Sequence, residues 1–512
     1  MPLFRSVFTI SFYTALSRIL GFVRDVLIAR YLGVSLMSDA FFAAFKLPNF
    51  FRRVFAEGAF NSAFIPIFIE KLQDKKTKDD ELFFVRNVFS LLFYILLIFI
   101  LVFQIFMPLF MKGLFPGFFN DPEKAELLIN LSRITIFYLL FISLVSLCSG
   151  ILNSVGKFAI PASAPIILNA SLVASIFLFG SFSPTYAHAL SWGVFAAGIL
   201  QFIWLFIFTA KSGYLLYPKM PKFNTDLKKF FARLIPGVIG ANLLQINLLV
   251  NSIFASLISG GVSYLYYADR INQLPLALIG IAIGIALLPD LSKKIKAGKH
   301  TSAIRMQNMA LEAGLILVIP ATLALTIIAT PIISALFERG EFTSNETFHV
   351  AKALTFYSLG LPAYVLIKVI EPAFFARSDT KTPMRIAFIC VISNIVLNIF
   401  FFVLDMSYVG IIIASVFSSY LNLILLLTTL IRRKHFKFEK KFVKKLILIL
   451  IPSVVMAFSL IYMKGLFVAS NKFHNITELT IMVTTGILIY GITSYFSGSL
   501  NILSKSHLLK KN

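Results

Sequence analysis

The stretch that decides the fold is residues 17–60, SRILGFVRDVLIARYLGVSLMSDAFFAAFKLPNFFRRVFAEGAF. It is apolar enough to lie in a lipid bilayer, yet it also carries nine charged side chains: Arg18, Arg24, Asp25, Arg30, Asp39, Lys46, Arg52, Arg53 and Glu57. A charge at the centre of a spanning helix costs roughly 2.5–3.5 kcal/mol even on lenient insertion scales. These side chains must therefore face water or one another, and the stretch predicts a hydrated, charged cavity inside a membrane protein.

The whole chain has the composition of a polytopic membrane protein. Of its 512 residues, 58% are hydrophobic and only 14% are charged, whereas soluble domains are about 25% charged. The net charge of +24 is compatible with nucleic-acid binding, but the lysines and arginines lie in short loops between apolar runs, as in a membrane protein. We therefore predict no nucleic-acid partner. Cys148 and Cys390 lie in separate apolar runs, which indicates neither a disulfide nor a metal site.

Fourteen segments are long and apolar enough to span a bilayer, which takes about 20 residues. They cover about residues 8–32, 37–69, 83–111, 125–153, 158–181, 186–210, 227–257, 262–290, 303–337, 346–376, 383–404, 408–431, 443–463 and 477–499. The turns between them alternate in charge, with lysine and arginine concentrated in the even-numbered turns by roughly five to one. The pattern predicts an all-α membrane protein with 14 transmembrane helices and both termini in the cytoplasm.

Two basic linkers, about 211–226 and 432–442, are natural boundaries. They predict an N-terminal lobe over 1–215, a C-terminal lobe over 216–435, and a last part over 436–512 with two further spans and a cytoplasmic tail. A short internal echo agrees with this division: Gly-Val-Ser opens a span at residue 33 and again at residue 261, each followed by an aspartate and a Leu-Pro pair. The copies lie six spans apart, which favours two pseudo-symmetric six-helix lobes with a site between them.

Helical spacing gathers the charged residues of the opening stretch onto common faces. Ser17 and Arg24 are seven residues apart, as are Arg18 and Asp25, and residues seven apart lie on one face of a helix. The second span continues with a polar stripe made of Asp39, Lys46, Asn49, Arg52, Arg53 and Glu57. The eighth span adds Asp269 and Arg270 just before a proline.

Three interpretations of these charges compete. Some are structural pairs, for example Arg24 with Asp39 or Lys46 with Glu57. A proton or cation relay normally rests on buried Asp, Glu or His, whereas the excess here is arginine, which does not titrate. An anion site fits best, because the planar arginine fork matches phosphate, and several arginines favour a diphosphate. In this hypothesis the supporting and orienting residues are Ser17, Asp25, Asp39, Lys46, Asn49, Arg53, Glu57 and Asp269.

Several motifs closely resemble the MurJ (MviN) family of lipid II flippases. They are SRILGFVRD at 17–25, DAFF at 39–42, FKLPN at 45–49, RR at 52–53, FAEGAF at 55–60, YYADR at 266–270 with LP at 274–275, FERG at 337–340, and the turn from FFAR at 374–377 to KTP at 381–383. The match covers the first twelve spans. The resemblance implies the fold of the multidrug/oligosaccharidyl-lipid/polysaccharide (MOP) exporters, with two extra C-terminal helices that in the family form a groove for the lipid tail.

The resemblance also implies a function and a set of residues. It implies outward movement of the undecaprenyl-diphosphate-linked peptidoglycan precursor, lipid II, across the bacterial inner membrane, so that lipid II and membrane lipids are the expected partners. By motif position the substrate-contacting arginines are Arg18, Arg24 and Arg270, with Arg52 and Asp39 also important. Some family members bind sodium through a carboxylate on helix eleven. This chain has the neutral Asn394 and Asn398 there, so at most a weak ion site is expected.

The remaining expectations concern mechanism and its alternatives. We expect a monomer without a cofactor that works by alternating access and is driven by the membrane potential or an ion gradient. One alternative is a flippase for another polyprenyl-diphosphate-linked glycan, and another is a cation-coupled drug exporter of the same fold, although drug exporters favour acidic, aromatic cavities. A polytopic glycosyltransferase or ligase is disfavoured, because the sequence has no nucleophile–base pair, no phosphate-cradling glycine loop and no metal-ligand spacing.

Overall fold

A computed structural model of the chain describes residues 2–54, 60–73, 78–241, 243–470 and 475–499. Within these ranges the protein is helical, and β-pairing is limited to an isolated bridge between Arg339 and Phe342. The backbone contacts divide the chain into two compact units, residues 1–263 and 264–512.

The first unit is built from ten helices and the beginning of an eleventh. They are α1 (Pro2–Leu32), α2 (Leu36–Val54), α3 (Phe60–Gln73), α4 (Lys78–Leu114), α5 (Pro122–Thr135), α6 (Tyr138–Ser154), α7 (Ala159–Phe179), α8 (Tyr186–Lys211), α9 (Thr225–Ala241) and α10 (Leu243–Ser256), with a 3₁₀ turn at Pro116–Asn120 between α4 and α5. Helix α11 (Gly261–Pro275) begins at the end of this unit and continues into the second.

The second unit continues from α11 through one turn of π-helix at Leu276–Ile281. Its other helices are α12 (Ala282–Lys296), α13 (His300–Ile327), α14 (Ala329–Phe337), α15 (Ser344–Leu359), α16 (Leu361–Phe375), α17 (Lys381–Val403), α18 (Ser407–Arg432), α19 (Phe442–Ser470) and α20 (Asn475–Ser497). The all-α fold class predicted from the apolar segments is confirmed.

Each of the fourteen predicted segments coincides with one helix or with two consecutive helices. In the described ranges ten helices are long and apolar enough to cross a membrane, or eleven if the bent pair α15–α16 counts as one span. The other three predicted segments lie on α1, α2–α3 and α9–α10. Helices α2 and α3 are separated only by residues 55–59, and α9 and α10 only by residue 242, all of which lie outside the described ranges. The chain is a multi-pass membrane protein, and the count of fourteen is compatible with the structure.

Prolines interrupt several long segments. Helices α15 and α16 meet at Gly360 with a bend of 42°. Pro362 follows two residues later, and a proline cannot continue a preceding helix without the loss of a backbone hydrogen bond. Pro275 ends α11, and the chain then makes its π-helical turn. Pro48 and Pro372 lie inside α2 and α16.

Aromatic packing dominates the core of the first unit. Phe64 stacks on Phe60, Phe68 and Phe84, with ring centroids 5.4–5.6 Å apart, an arrangement that adds stabilisation beyond the area buried. In the second unit, α12, α13, α16 and α18 share an aliphatic core. Helix α19 is joined to α13 by an ion pair between the half-buried Lys445 and the buried Glu312, with Nζ 2.7 Å from Oε1.

The basic linker 212–224 lies along α4. Asn87 accepts a hydrogen bond from the backbone N–H of Lys222 at 2.7 Å and donates one to its carbonyl oxygen, while Ser90 Oγ accepts from the N–H of Lys219 at 2.9 Å. Helix α9, beyond the linker, packs against α3 in the same unit. The functional lobe boundaries at residues 215 and 435 stay a prediction.

Candidate functional site: arginines oriented by neighbouring side chains

Arg24 is the most buried of the predicted substrate-binding arginines. It lies on α1 with 6% of its surface exposed. Its Nε and Nη2 donate to Oδ1 of the adjacent Asp25 at 3.0 and 2.7 Å, and Nη1 donates to Oδ1 of Asn169 on α7 at 2.9 Å. Two partners on different helices fix the plane of the guanidinium. The pairing of Arg24 with Asp39, considered as a structural alternative, is wrong, because Asp25 holds that place.

Asn169 also ties the beginning of this face to α7. Its Nδ2 donates to the carbonyl oxygen of Ser17 at 2.9 Å and reaches Ser17 Oγ at 3.4 Å. The glycine between the two contacts, Gly21, lets the helices approach, since a Cβ there would lie 3.3 Å from Asn169 Nδ2. Ser17 and Arg24, predicted on one face from their spacing, therefore meet at the same amide side chain.

Asp39 has a different partner from the one expected. It is buried, with 6% exposed, and its carboxylate accepts from the backbone N–H of Gly260 at 2.9 Å and of Ser263 at 2.8 Å. Ser263 Oγ donates to the same carboxylate at 2.6 Å and lies 2.9 Å from Ser38 Oγ. Asp39 thus caps the N-terminus of α11, where orphan N–H groups and the helix dipole favour a negative charge.

The basic residues of α2 are half-buried and held by amides. Arg52 Nε donates to Asn49 Oδ1 at 2.9 Å, one turn earlier on the same helix. Arg53 Nη1 donates to Gln245 Oε1 on α10 at 3.3 Å. Lys46 is half-buried on the same helix. An amide oxygen orients a guanidinium without cancelling its charge, which suits a group that is to bind an anion.

In the second unit Arg270 is oriented by a tyrosine. Its Nη2 donates to Tyr266 Oη at 2.9 Å, and the guanidinium lies over the Tyr266 ring at 4.8 Å from the centroid. The hydrogen bond and the stacking on the tyrosine ring together orient the guanidinium. The neighbouring Asp269 accepts a short hydrogen bond from Gln273.

The remaining charged residues of the opening stretch are exposed or lie outside the described residues. Arg18 and Arg30 are exposed on α1, and Arg30 lies over the ring of Tyr31. Glu57 lies outside the described residues, and the proposed Lys46–Glu57 pair lies there with it.

Several contact partners of the charged residues were not predicted from the sequence. Asn169 and Tyr266 orient arginines, but neither an asparagine in an apolar run nor a tyrosine near charged residues indicates which arginine it contacts. Lys368 and Glu371 form an ion pair on α16, with Nζ and Oε2 2.9 Å apart. The sequence does indicate this ion pair, because opposite charges three residues apart in an apolar segment are characteristic of a membrane-buried pair.

The two asparagines of the expected weak ion site are buried together on α17. Asn394 and Asn398 are 0% and 2% exposed, and Asn398 Nδ2 donates to Asn394 Oδ1 at 2.9 Å. That bond uses one of the amide oxygens a sodium ion would need. Among the described residues there is no group of three or more His, Cys, Asp or Glu side chains suited to a metal ion.

The all-helical, multi-pass architecture shares its fold with a solved membrane transporter. A solved structure described as the inward-facing conformation of a multidrug resistance MATE family transporter of that superfamily matches with a TM-score of 0.60 at 14% identity, over 82% of this chain and 94% of the other. At that identity the likeness concerns the fold alone.

The chain belongs to the lipid II flippase MurJ family. The family model described as "Lipid II flippase MurJ" matches residues 28–500. A curated relative from Rhizobium tropici, "Probable lipid II flippase MurJ", is 37% identical over 517 residues, covering 98% of this chain and 96% of its own length. A solved structure entitled "Lipid II flippase MurJ, inward closed conformation" matches with a TM-score of 0.80 at 30% identity, over 95% of this chain and 98% of that one. The resemblance seen in the motifs is confirmed, and the chain is a transporter rather than an enzyme.

Proposed function

We propose that this protein moves lipid II, the polyprenyl-diphosphate-linked precursor of peptidoglycan, from the inner to the outer leaflet of the bacterial inner membrane. The observation that carries the proposal is Arg24, a buried cation in the helix that opens the family's sequence pattern, held by Asp25 and Asn169. A buried arginine is costly in a membrane protein and is typically functional. A diphosphate matches the charge and the geometry of a guanidinium.

We propose alternating access as the mechanism. Arg18, Arg24, Arg52 and Arg270 take the diphosphate while the polyprenyl tail stays in lipid, and the protein then exposes the headgroup on the other side. The contacts of Arg24, Arg52 and Arg270 support this assignment, because each guanidinium is oriented before any substrate arrives, which lowers the entropy lost on binding.

The driving force in this proposal is electrical. Each negative charge that moves outward gains roughly 2.3 kcal/mol per 100 mV of inside-negative potential. We propose a monomer with cytoplasmic termini and no cofactor, with Asn394 and Asn398 as no more than a weak ion site.

The test is lipid II translocation in reconstituted vesicles. Arg24→Ala should slow translocation at least about tenfold, because a lost hydrogen bond to a charged group is worth about 1.5–3 kcal/mol and about 1.4 kcal/mol is a factor of ten. Arg24→Lys keeps the charge but loses the fork, so its rate should be intermediate. Arg30→Ala, an exposed arginine of the same helix, is the matched control and should behave as wild type. Wild-type translocation by Arg24→Ala would refute the site assignment.

A further inference from the structure

The first unit contains a cavity that the arginine contacts do not use. Its volume is about 370 Å³, and it lies among α1, α2, α3, α6, α7 and α8. Small-molecule sites typically enclose roughly 300–1,000 Å³, so this cavity has room for a single sugar-sized group. Arg52 of α2 is among the residues that line it.

One wall of the cavity is a polar stripe on α6. Ser146, Ser149 and Asn153 line it, and their spacing of three and four residues places them on one helix face. Ser146 Oγ donates to the carbonyl oxygen of Ile142 at 2.9 Å. The side chains of Ser149 and Asn153 make no hydrogen bond with any residue that the structure describes. They offer a hydroxyl, an amide N–H₂ and an amide oxygen to a ligand.

The opposite wall is apolar. Phe158, Pro161, Pro165 and Leu168, at and after the turn into α7, line it. The one amide on the far side, Gln201, is already engaged, because its Oε1 accepts from Tyr138 Oη at 3.1 Å and its Nε2 donates to the carbonyl oxygen of Ala164 at 2.7 Å. The other polar side chains of the lining lie on α6, apart from Arg52 of α2 and Asn61 of α3.

We propose that this cavity binds one N-acylated sugar unit of the substrate headgroup, an inference that rests on the proposed function. A pyranose ring has hydroxyl and amide edges for Ser149 and Asn153, and an apolar C–H face for the proline and phenylalanine wall. Arg52 then meets the anionic group attached to the sugar. An acyl chain fits poorly, since it would leave two polar side chains facing hydrocarbon. A diphosphate fits poorly as well, since Arg52 is the single cation among the described residues that line the cavity.

The experiment measures binding of two lipids to the detergent-solubilised full chain. One is a bare polyprenyl diphosphate, and the other is the same lipid with its N-acetylated disaccharide and peptide. Wild type should bind the glycosylated lipid about tenfold more tightly, because two net hydrogen bonds of about 0.5–1.5 kcal/mol each are added. Ser149→Leu, which fills the cavity, should lose that preference and keep the affinity for the bare lipid. Ser154→Leu, on the same helix but outside the lining, is the matched control and should keep both.

Each outcome separates this inference from the proposed function. If wild type binds both lipids equally, or if Ser149→Leu keeps the preference, the cavity is not a sugar site, although the diphosphate site stands. If wild type binds neither lipid, the proposed function itself fails. Should Ser149→Leu not fold, judged by gel filtration and melting temperature, Ser149→Ala and Asn153→Ala remove the hydrogen-bonding groups without adding volume. An unchanged preference in both would overturn the inference.

Discussion

Replacing Asp39 with alanine should loosen the first turn of α11. The carboxylate accepts from the N–H groups of Gly260 and Ser263 at 2.9 and 2.8 Å. Ser263 Oγ keeps Ser38 Oγ as a neighbour at 2.9 Å, so the loss falls on the two backbone donors. A buried donor left without an acceptor costs about 1–3 kcal/mol, which gives about 2–6 kcal/mol of local stability for the pair.

Hydrogen exchange followed by mass spectrometry measures this loss directly. At about 1.4 kcal/mol per factor of ten, the amides that open α11 should exchange at least about 30-fold faster in Asp39→Ala. Asp39→Asn keeps one acceptor oxygen, so its effect should be smaller. Asp290→Ala is the control. Asp290 is exposed and forms a long ion pair with Lys293, at 3.8 Å, and such surface pairs contribute little to stability. Unchanged exchange at the start of α11 in Asp39→Ala would refute the capping role.

Three further predictions concern stability. Glu312→Ala should lower the melting temperature in detergent, because it removes the buried partner of Lys445; the loss should stay below the roughly 3–5 kcal/mol of a fully buried pair, since Lys445 keeps Glu439 at 2.9 Å, and a melting temperature equal to wild type would contradict this. Burial and nearby positive charges lower the pKa of His435 below 6.5; the unfolded chain therefore takes up a proton first, stability falls as the pH drops from about 6.5 through the folded pKa, and melting curves of His435→Gln should depend less on pH over that range. Asn87→Ala removes both backbone contacts to Lys222, so trypsin should cleave the 212–224 linker faster than in wild type, and an unchanged rate would show that Asn87 does not hold it.

Much of the fold follows from the sequence because a bilayer requires long apolar helices. Hydropathy alone does not locate the breaks within these helices. The segment predicted over 346–376 is two helices that bend by 42° at Gly360, and the segment over 262–290 contains a π-helical turn after Pro275. Both breaks are local consequences of proline, whose effect depends on whether the neighbours can take up the lost hydrogen bond.

The candidate site was only partly predictable, for a different reason. Periodicity reports which residues share a face of one helix, as for Ser17 and Arg24, but it does not report what lies opposite. Asn169 follows Arg24 by 145 residues, and the donors to Asp39 lie more than 220 residues along the chain. Because its charge is opposite to that of arginine, Asp39 was considered as a partner for Arg24. In the structure backbone N–H groups outcompete any arginine, because a helix N-terminus satisfies a carboxylate with several aligned donors.

The role of Asp39 as a helix cap, in place of a pairing with an arginine, bears on the case for an anion site. Asp25 pairs with Arg24, whereas the carboxylate of Asp39 accepts from the N–H groups at the beginning of α11. The contacts that orient the arginines include the oxygens of Asn169, Asn49 and Gln245 and the hydroxyl of Tyr266. Neutral groups fix the geometry of a guanidinium and leave its field in place. Guanidinium groups that are held in a fixed orientation suit a diphosphate, since binding then needs little rearrangement of the protein.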